Sequence, residues 1–127
     1  GDVDMTWVLV VDDNESERSE LAEIVSDMGH FTWLASSLAE AQWRVRDDAD
    51  IRAVILDIGL PDGNGLKLLE SLNQGKSHLT SDQIVVVTGL DEAELQEKTG
   101  LGQVNHIFHK PVDILALEET VNAILRK

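Results

Sequence analysis

The chain has 127 residues, 43% hydrophobic and 27% charged, a length and balance that fit one folded domain and exclude intrinsic disorder. Its formal charge of −14, from 24 acidic and 10 basic residues with no basic block, argues against direct nucleic-acid binding, because phosphate contacts need clustered Lys or Arg. The absence of cysteine excludes disulfides, thiolate metal sites and cysteine nucleophiles, and no apolar run approaches the ~18 residues that span a bilayer.

Residues 1–6 carry no pattern. The start Gly1-Asp2-Val3-Asp4-Met5 reads as a leader or the remnant of a tag on a piece of a longer protein. The domain is expected over 7–127. Trp7 to Val11 is a first apolar strand, ending on Asp12 and Asp13. Asn14 or Ser16 can cap the helix that follows, with Leu21, Ile24, Val25 and Met28 on one face and Gly29 as its stop. Phe31 to Ala35 is a second strand, and Ser36 or Ser37 caps a helix presenting Leu38, Ala41 and Val45. Trp7, Trp33 and Trp43 read as packing residues.

The run Ala53 to Leu56 is a third strand, buried on both faces, and it ends on Asp57. Ile58 to Gly65 is a loop of turn formers. Leu66, Leu69 and Leu72 make a third helical stripe, and 73–82 reads as a surface loop. Ile84 to Val87 is a fourth strand, ending on Thr88 and Gly89. Asp91 to Leu95 opens a fourth helix with acids in its first turn. Val104 to Phe108 is a fifth strand, leading into His109, Lys110 and Pro111. A last helix places Ile114, Leu117, Val121, Ile124 and Leu125 on one face. None of the four histidines has zinc-type spacing.

Five apolar strands alternating with amphipathic helices specify an α/β domain with a parallel sheet covered on both faces. Right-handed crossovers bring every strand's C-terminal end to one edge, which gathers Asp12, Asp13, Asp57, Thr88 and Lys110. Carboxylates crowded this way repel one another, by roughly 4 kcal/mol for two charges ~4 Å apart at an effective dielectric near 20. A hard divalent cation relieves that repulsion, and all-oxygen ligands suit Mg²⁺. A carboxylate beside such an ion can attack phosphorus, while an ammonium and a hydroxyl hold the phosphoryl oxygens. The residues spell out an aspartyl-phosphate site.

The Asp12-Asp13 pair, Asp57 in Leu-Asp-Ile-Gly-Leu-Pro-Asp-Gly-Asn-Gly, Thr88-Gly89 and Lys110-Pro111 together resemble the receiver domain of two-component response regulators. The resemblance covers residues 7–126. It implies a flavodoxin-like (βα)5 fold, a doubly wound five-stranded parallel sheet of order 2-1-3-4-5. It implies Asp57 as the phosphoacceptor, charged from a phosphohistidine on a kinase or phosphotransfer protein. Asp13, Asp57 and the carbonyl of Gly59 would ligate Mg²⁺, with Asp12 reaching it through water. Lys110 would pair with the phosphoryl group, Thr88 would move towards it, and the Lys110-Pro111 bond would be cis. Pro61 and Gly65 match the loop that re-enters the third helix.

One position departs from that family. The residue three before the lysine is commonly aromatic and here is Ile107, while alternation points Phe108 to the opposite face. This puts the aromatic part of the usual switch in doubt. Two other functions compete with the signalling one: a degenerate receiver that only mediates protein contacts, and a Mg²⁺-dependent phosphatase with an aspartyl nucleophile. Phosphatases resembling the haloacid dehalogenase family need an acid two residues after the nucleophile, where this chain has Gly59. The expected setting is the cytoplasm, for want of a signal pattern. The expected partners are a histidine kinase or phosphotransfer protein and a downstream output, with homodimerisation left open.

Overall fold

The computed structural model describes residues 6–60, 63–73, 77–98, 102 and 104–126. Five strands form one parallel sheet: β1 (Trp7–Val11), β2 (Phe31–Ala35), β3 (Ile51–Leu56), β4 (Ile84–Thr88) and β5 (His106–His109). Their spatial order is β2-β1-β3-β4-β5, as expected. Between them run α1 (Glu15–Asp27), α2 (Leu38–Asp47), α3 (Lys67–Asn73), α4 (Glu92–Gln96) and α5 (Ile114–Leu125). No helix among the described residues is long and apolar enough to cross a membrane.

The central strands β1, β3 and β4 are largely apolar because both of their faces are covered. Alternation splits them between two cores. Leu9, Val11, Val54, Leu56 and Val86 face α2 and α3, while Val8, Val10, Ala53, Ile55, Val85 and Val87 face α1 and α5. Ile107 packs on the first side and Phe108 on the second, as the alternation requires.

Helix starts follow side-chain chemistry. The Asn14 side chain accepts from the Glu17 N–H, Ser37 from Glu40 and Asp91 from Glu94, so Asn14 and Ser37 are the caps of α1 and α2. Gly29 follows α1 with φ of 93°, a left-handed stop that a side chain would strain.

Several boundaries differ from the sequence reading. β3 begins at Ile51, which pairs with Trp7, and the half-buried Arg52 that interrupts its apolar run sits where the register with β1 shifts by one residue. β4 extends to Thr88, and β5 spans 106–109 rather than 104–108, set by its pairing with β4 from Val85↔His106 to Thr88↔His109. The loop after Asp57 contains a small antiparallel ladder, Gly59–Leu60 against Gly63–Asn64. The connection before β4 is not all surface, since Leu79 is buried and Ser81–Gln83 form a 3₁₀ turn. Leu68 is buried beside Leu66 and Leu69, whereas Ile114, at the first turn of α5, is exposed. Trp43 is also exposed, with the Arg44 guanidinium 4.6 Å from its ring centroid and 4.0 Å from that of Trp33. The expected leader falls outside the described residues except for Thr6, whose carbonyl accepts from the Phe31 N–H. Pro61 and the side chain of Leu72 also lie outside what is described.

Candidate phosphoacceptor site

The strand ends are tied side by side by backbone hydrogen bonds that run past the ladders. The Asp57 N–H donates to the Val11 carbonyl at 2.8 Å, and the Lys110 N–H donates to the Thr88 carbonyl at 2.8 Å. Asp12 is held by its own backbone, whose N–H donates to Ala35 at 3.1 Å and whose carbonyl accepts from Arg18 Nη1 at 2.8 Å. The four side chains leaving these ends are therefore fixed by sheet register. Gly65 lets the chain return tightly against this edge: a Cβ there would lie 2.8 Å from the Asp57 carbonyl oxygen and 2.9 Å from Ile58 Cα.

The Asp12 side chain is fully buried, and its Oδ1 accepts from the Asn14 N–H at 2.9 Å. Asp57 Oδ1 accepts from the Gly59 N–H at 3.0 Å, leaving Oδ2 turned to Lys110. Thr88 is buried, and its Oγ1 accepts from the Leu90 N–H at 3.0 Å, which keeps its own hydroxyl hydrogen available to donate. The Lys110 ammonium has three N–H donors and faces three carboxylates: Glu17 Oε2 at 2.8 Å, Asp12 Oδ2 at 3.2 Å and Asp57 Oδ2 at 3.4 Å. The Lys110-Pro111 peptide is cis.

The electrostatics follow from burial and crowding. Burial pushes the Asp12 carboxyl above its ordinary 3.8, and the Asp57 charge adds to this, while the Asn14 N–H and Lys110 pull the other way. Burial alone would lower Lys110. The hydrogen bond it donates to Glu17 and the charges of Asp57 and Asp12 outweigh it, so the ammonium is held above its ordinary 10.5 and stays charged.

Carboxylate oxygens of Asp12, Glu17 and Asp57 lie within 4.8 Å of one another. Such a set of hard oxygens around a cationic centre suits Mg²⁺ in donor chemistry, and the Lys110 ammonium already supplies positive charge there. Asp12, Asp57 and Lys110 thus meet, with Thr88 joined through the Lys110 backbone and Gly59 through its amide. Asp13 is exposed and is not one of the three grouped carboxylates. Glu17 was not legible as a site residue. It lies in the first turn of α1, where an acid is already explained by the helix dipole. Beside the Lys110–Glu17 pair opens a groove of about 530 Å³, lined in part by Leu21, Val87, Pro111 and Ile114.

The family model of the response regulator receiver domain matches residues 8–122. Among curated proteins, the chain is 29% identical over 106 residues to the two-component response regulator PprB of Pseudomonas aeruginosa, covering 83% of this chain and 38% of that protein. It is 31% identical to the photosynthetic apparatus regulatory protein RegA of Rhodobacter capsulatus, covering 94% and 61%. With a chemotaxis protein CheY homolog of Campylobacter jejuni it shares 27%, covering 93% and 91%. The chain therefore spans less than two thirds of PprB and RegA, and nearly all of the chemotaxis protein. Among solved structures, a response regulator receiver protein from Pseudomonas putida superposes with a TM-score of 0.77 at 31% identity, covering 93% of this chain and 96% of that one.

Proposed function

Because this chain belongs to the response regulator receiver domain family, we propose that it accepts a phosphoryl group on Asp57 from a phosphohistidine and changes its surface in response. The observation that carries this reading is the meeting of Asp57 Oδ2, Asp12 and the Lys110 ammonium at one sheet edge. Asp57 Oδ2 attacks the phosphorus, an O–P bond forms, and the P–N bond to the donor imidazole breaks with its electron pair returning to nitrogen. Lys110 holds a phosphoryl oxygen as charge builds, and Thr88 donates its hydroxyl hydrogen to another. Asp12, Asp13, Asp57 and the Gly59 carbonyl would hold Mg²⁺, which when bound neutralises phosphoryl oxygens.

The partner that brings the phosphohistidine is a histidine kinase or a phosphotransfer protein. The groove beside Lys110 and the exposed Ile114 give that partner an apolar surface next to the nucleophile. The output is a further domain or a target protein, and the setting is cytoplasmic. On this reading the domain is a signalling element that catalyses only its own phosphorylation and dephosphorylation. Incubation with acetyl phosphate and Mg²⁺ followed by Phos-tag electrophoresis tests it. A retarded band that needs Mg²⁺ supports the reading. An unretarded protein points to a contact module, and steady release of phosphate from added phosphoesters points to a phosphatase.

A further inference from the structure

Among the described residues the Lys110 ammonium has three near carboxylates, and the nearest, Glu17, is one that the phosphoryl transfer step does not use. Only its 2.8 Å contact with Glu17 falls in the range of strong charge-assisted bonds, against 3.2 Å for Asp12 and 3.4 Å for Asp57. We propose that Glu17 is a positioning residue that holds Lys110 back, competing with the incoming phosphoryl group for its ammonium. The proposal rests on the phosphoacceptor reading above.

The alternative is that Glu17 helps by aiming Lys110 at Asp57. The geometry argues against it. The Lys110 backbone is fixed to Thr88 by its N–H, and its stem lies beside Gly89, where an added Cβ would be 3.9 Å from Cδ. Asp12 and Asp57 both remain in reach of the ammonium if Glu17 is neutral. Removing the Glu17 charge therefore frees one N–H without removing what places the head group. The two carboxylates that stay are the acceptor, Asp57, and its neighbour Asp12. Glu17 is also half exposed and stands in the first turn of α1, so its side chain has room to swing away when the phosphoryl group arrives.

The probe is beryllofluoride in saturating Mg²⁺, with affinity followed by amide chemical shifts of the full chain. Glu17→Gln is expected to bind about two- to fivefold more tightly than the parent, the scale of losing one partly exposed competing ion pair. Glu17→Asp, one methylene shorter, is expected to shift the same way by less. In a Lys110→Ala background the Glu17→Gln gain should vanish, because the two residues then no longer share an interaction. An equal gain in both backgrounds would show that Glu17 acts only as a nearby negative charge and would overturn the proposal. So would unchanged or weaker binding by both Glu17 variants with native spectra. Should Glu17→Gln not fold, the Glu17→Asp comparison decides alone. If the parent binds beryllofluoride and the Glu17 variants match it, this inference fails and the phosphoacceptor reading stands. If the parent neither binds it nor takes a phosphoryl group, the reading itself fails and takes the inference with it.

Discussion

Lys110 lies 2.8 Å from Glu17 and 3.4 Å from Asp57, so the lysine at the centre of the site is drawn most closely to a carboxylate outside the sheet edge. Three acids surround one ammonium here, and the negative charge is only partly offset. A second cation would relieve this excess, and burial, with the Asp57 charge beside it, raises the proton affinity of the most buried member, Asp12. On the proposed function, metal response and phosphoryl transfer would draw on that imbalance, and the pH response on the burial of Asp12.

A divalent ion should stabilise the domain, since a ligand that binds only the folded state raises its melting temperature. Thermal melts with and without Mg²⁺ measure this. The response should fall sharply in Asp12→Asn and in Asp13→Ala. A Mg²⁺ shift unchanged in Asp13→Ala would remove that exposed residue from the metal-binding group and leave Asp12 and Asp57 in it.

Without metal, Asp12→Asn should be more stable than the parent at pH 7, by a few degrees in melting temperature. The folded-state pKa of Asp12 is raised above 3.8, so its contribution favours folding below 3.8 and is lost as pH rises through the raised value. Asparagine is neutral throughout and escapes that loss. The advantage of the variant should therefore shrink as pH falls through the raised value and be gone below 3.8. An advantage that grows towards acid pH would contradict the assignment of repulsion and burial to Asp12.

Gly65→Ala should destabilise the domain by about 1–3 kcal/mol, the usual cost of forcing atoms into a filled space. The new Cβ would meet backbone at Asp57 and Ile58 inside 3.0 Å, and backbone at a sheet edge has little room to give. Urea unfolding measures it. A change within the error of the extrapolation would show that the loop after Asp57 can shift freely.

Much of this site was legible because its residues sit where strands stop. Asp57, Thr88 and Lys110 each follow a short apolar run, and right-handed crossovers bring such ends together whatever the details of packing. Glu17 was hidden for the opposite reason. A helix surface residue joins the site only through the rotation of α1 over the sheet, and an acid in a first turn already has a local explanation. Leu68 was missed and Ile114 misplaced for a similar reason, since a stripe at helical spacing does not fix where a short helix makes contact or where its first turn clears the core. The ladder at Gly59–Leu60 was concealed by glycine-rich sequence that reads equally as loop.

The switch should run through the segment after Thr88 rather than along β5. Ile107 is β-branched and stiff at χ1, and it packs in the same core as Leu90 without an aromatic ring to swing. The link to β5 is at its end, where His109 Nε2 lies 3.1 Å from Glu92 Oε1 at the start of α4. Amide shifts with and without beryllofluoride should be large over 89–95, carried to His109, and small over 105–108. Shifts at Ile107 as large as those beside Thr88 would show that isoleucine can carry the switch.

The central claim is that Asp57 is the phosphoacceptor, and the mass of the intact protein after treatment with acetyl phosphate and Mg²⁺ tests it most directly. Asp57→Asn keeps the shape and the Gly59 hydrogen bond while removing the nucleophilic charge, so the fold should persist. The parent should gain the mass of one phosphoryl group, and Asp57→Asn should gain none. An equal gain in both proteins would place the phosphoryl group elsewhere and contradict the account.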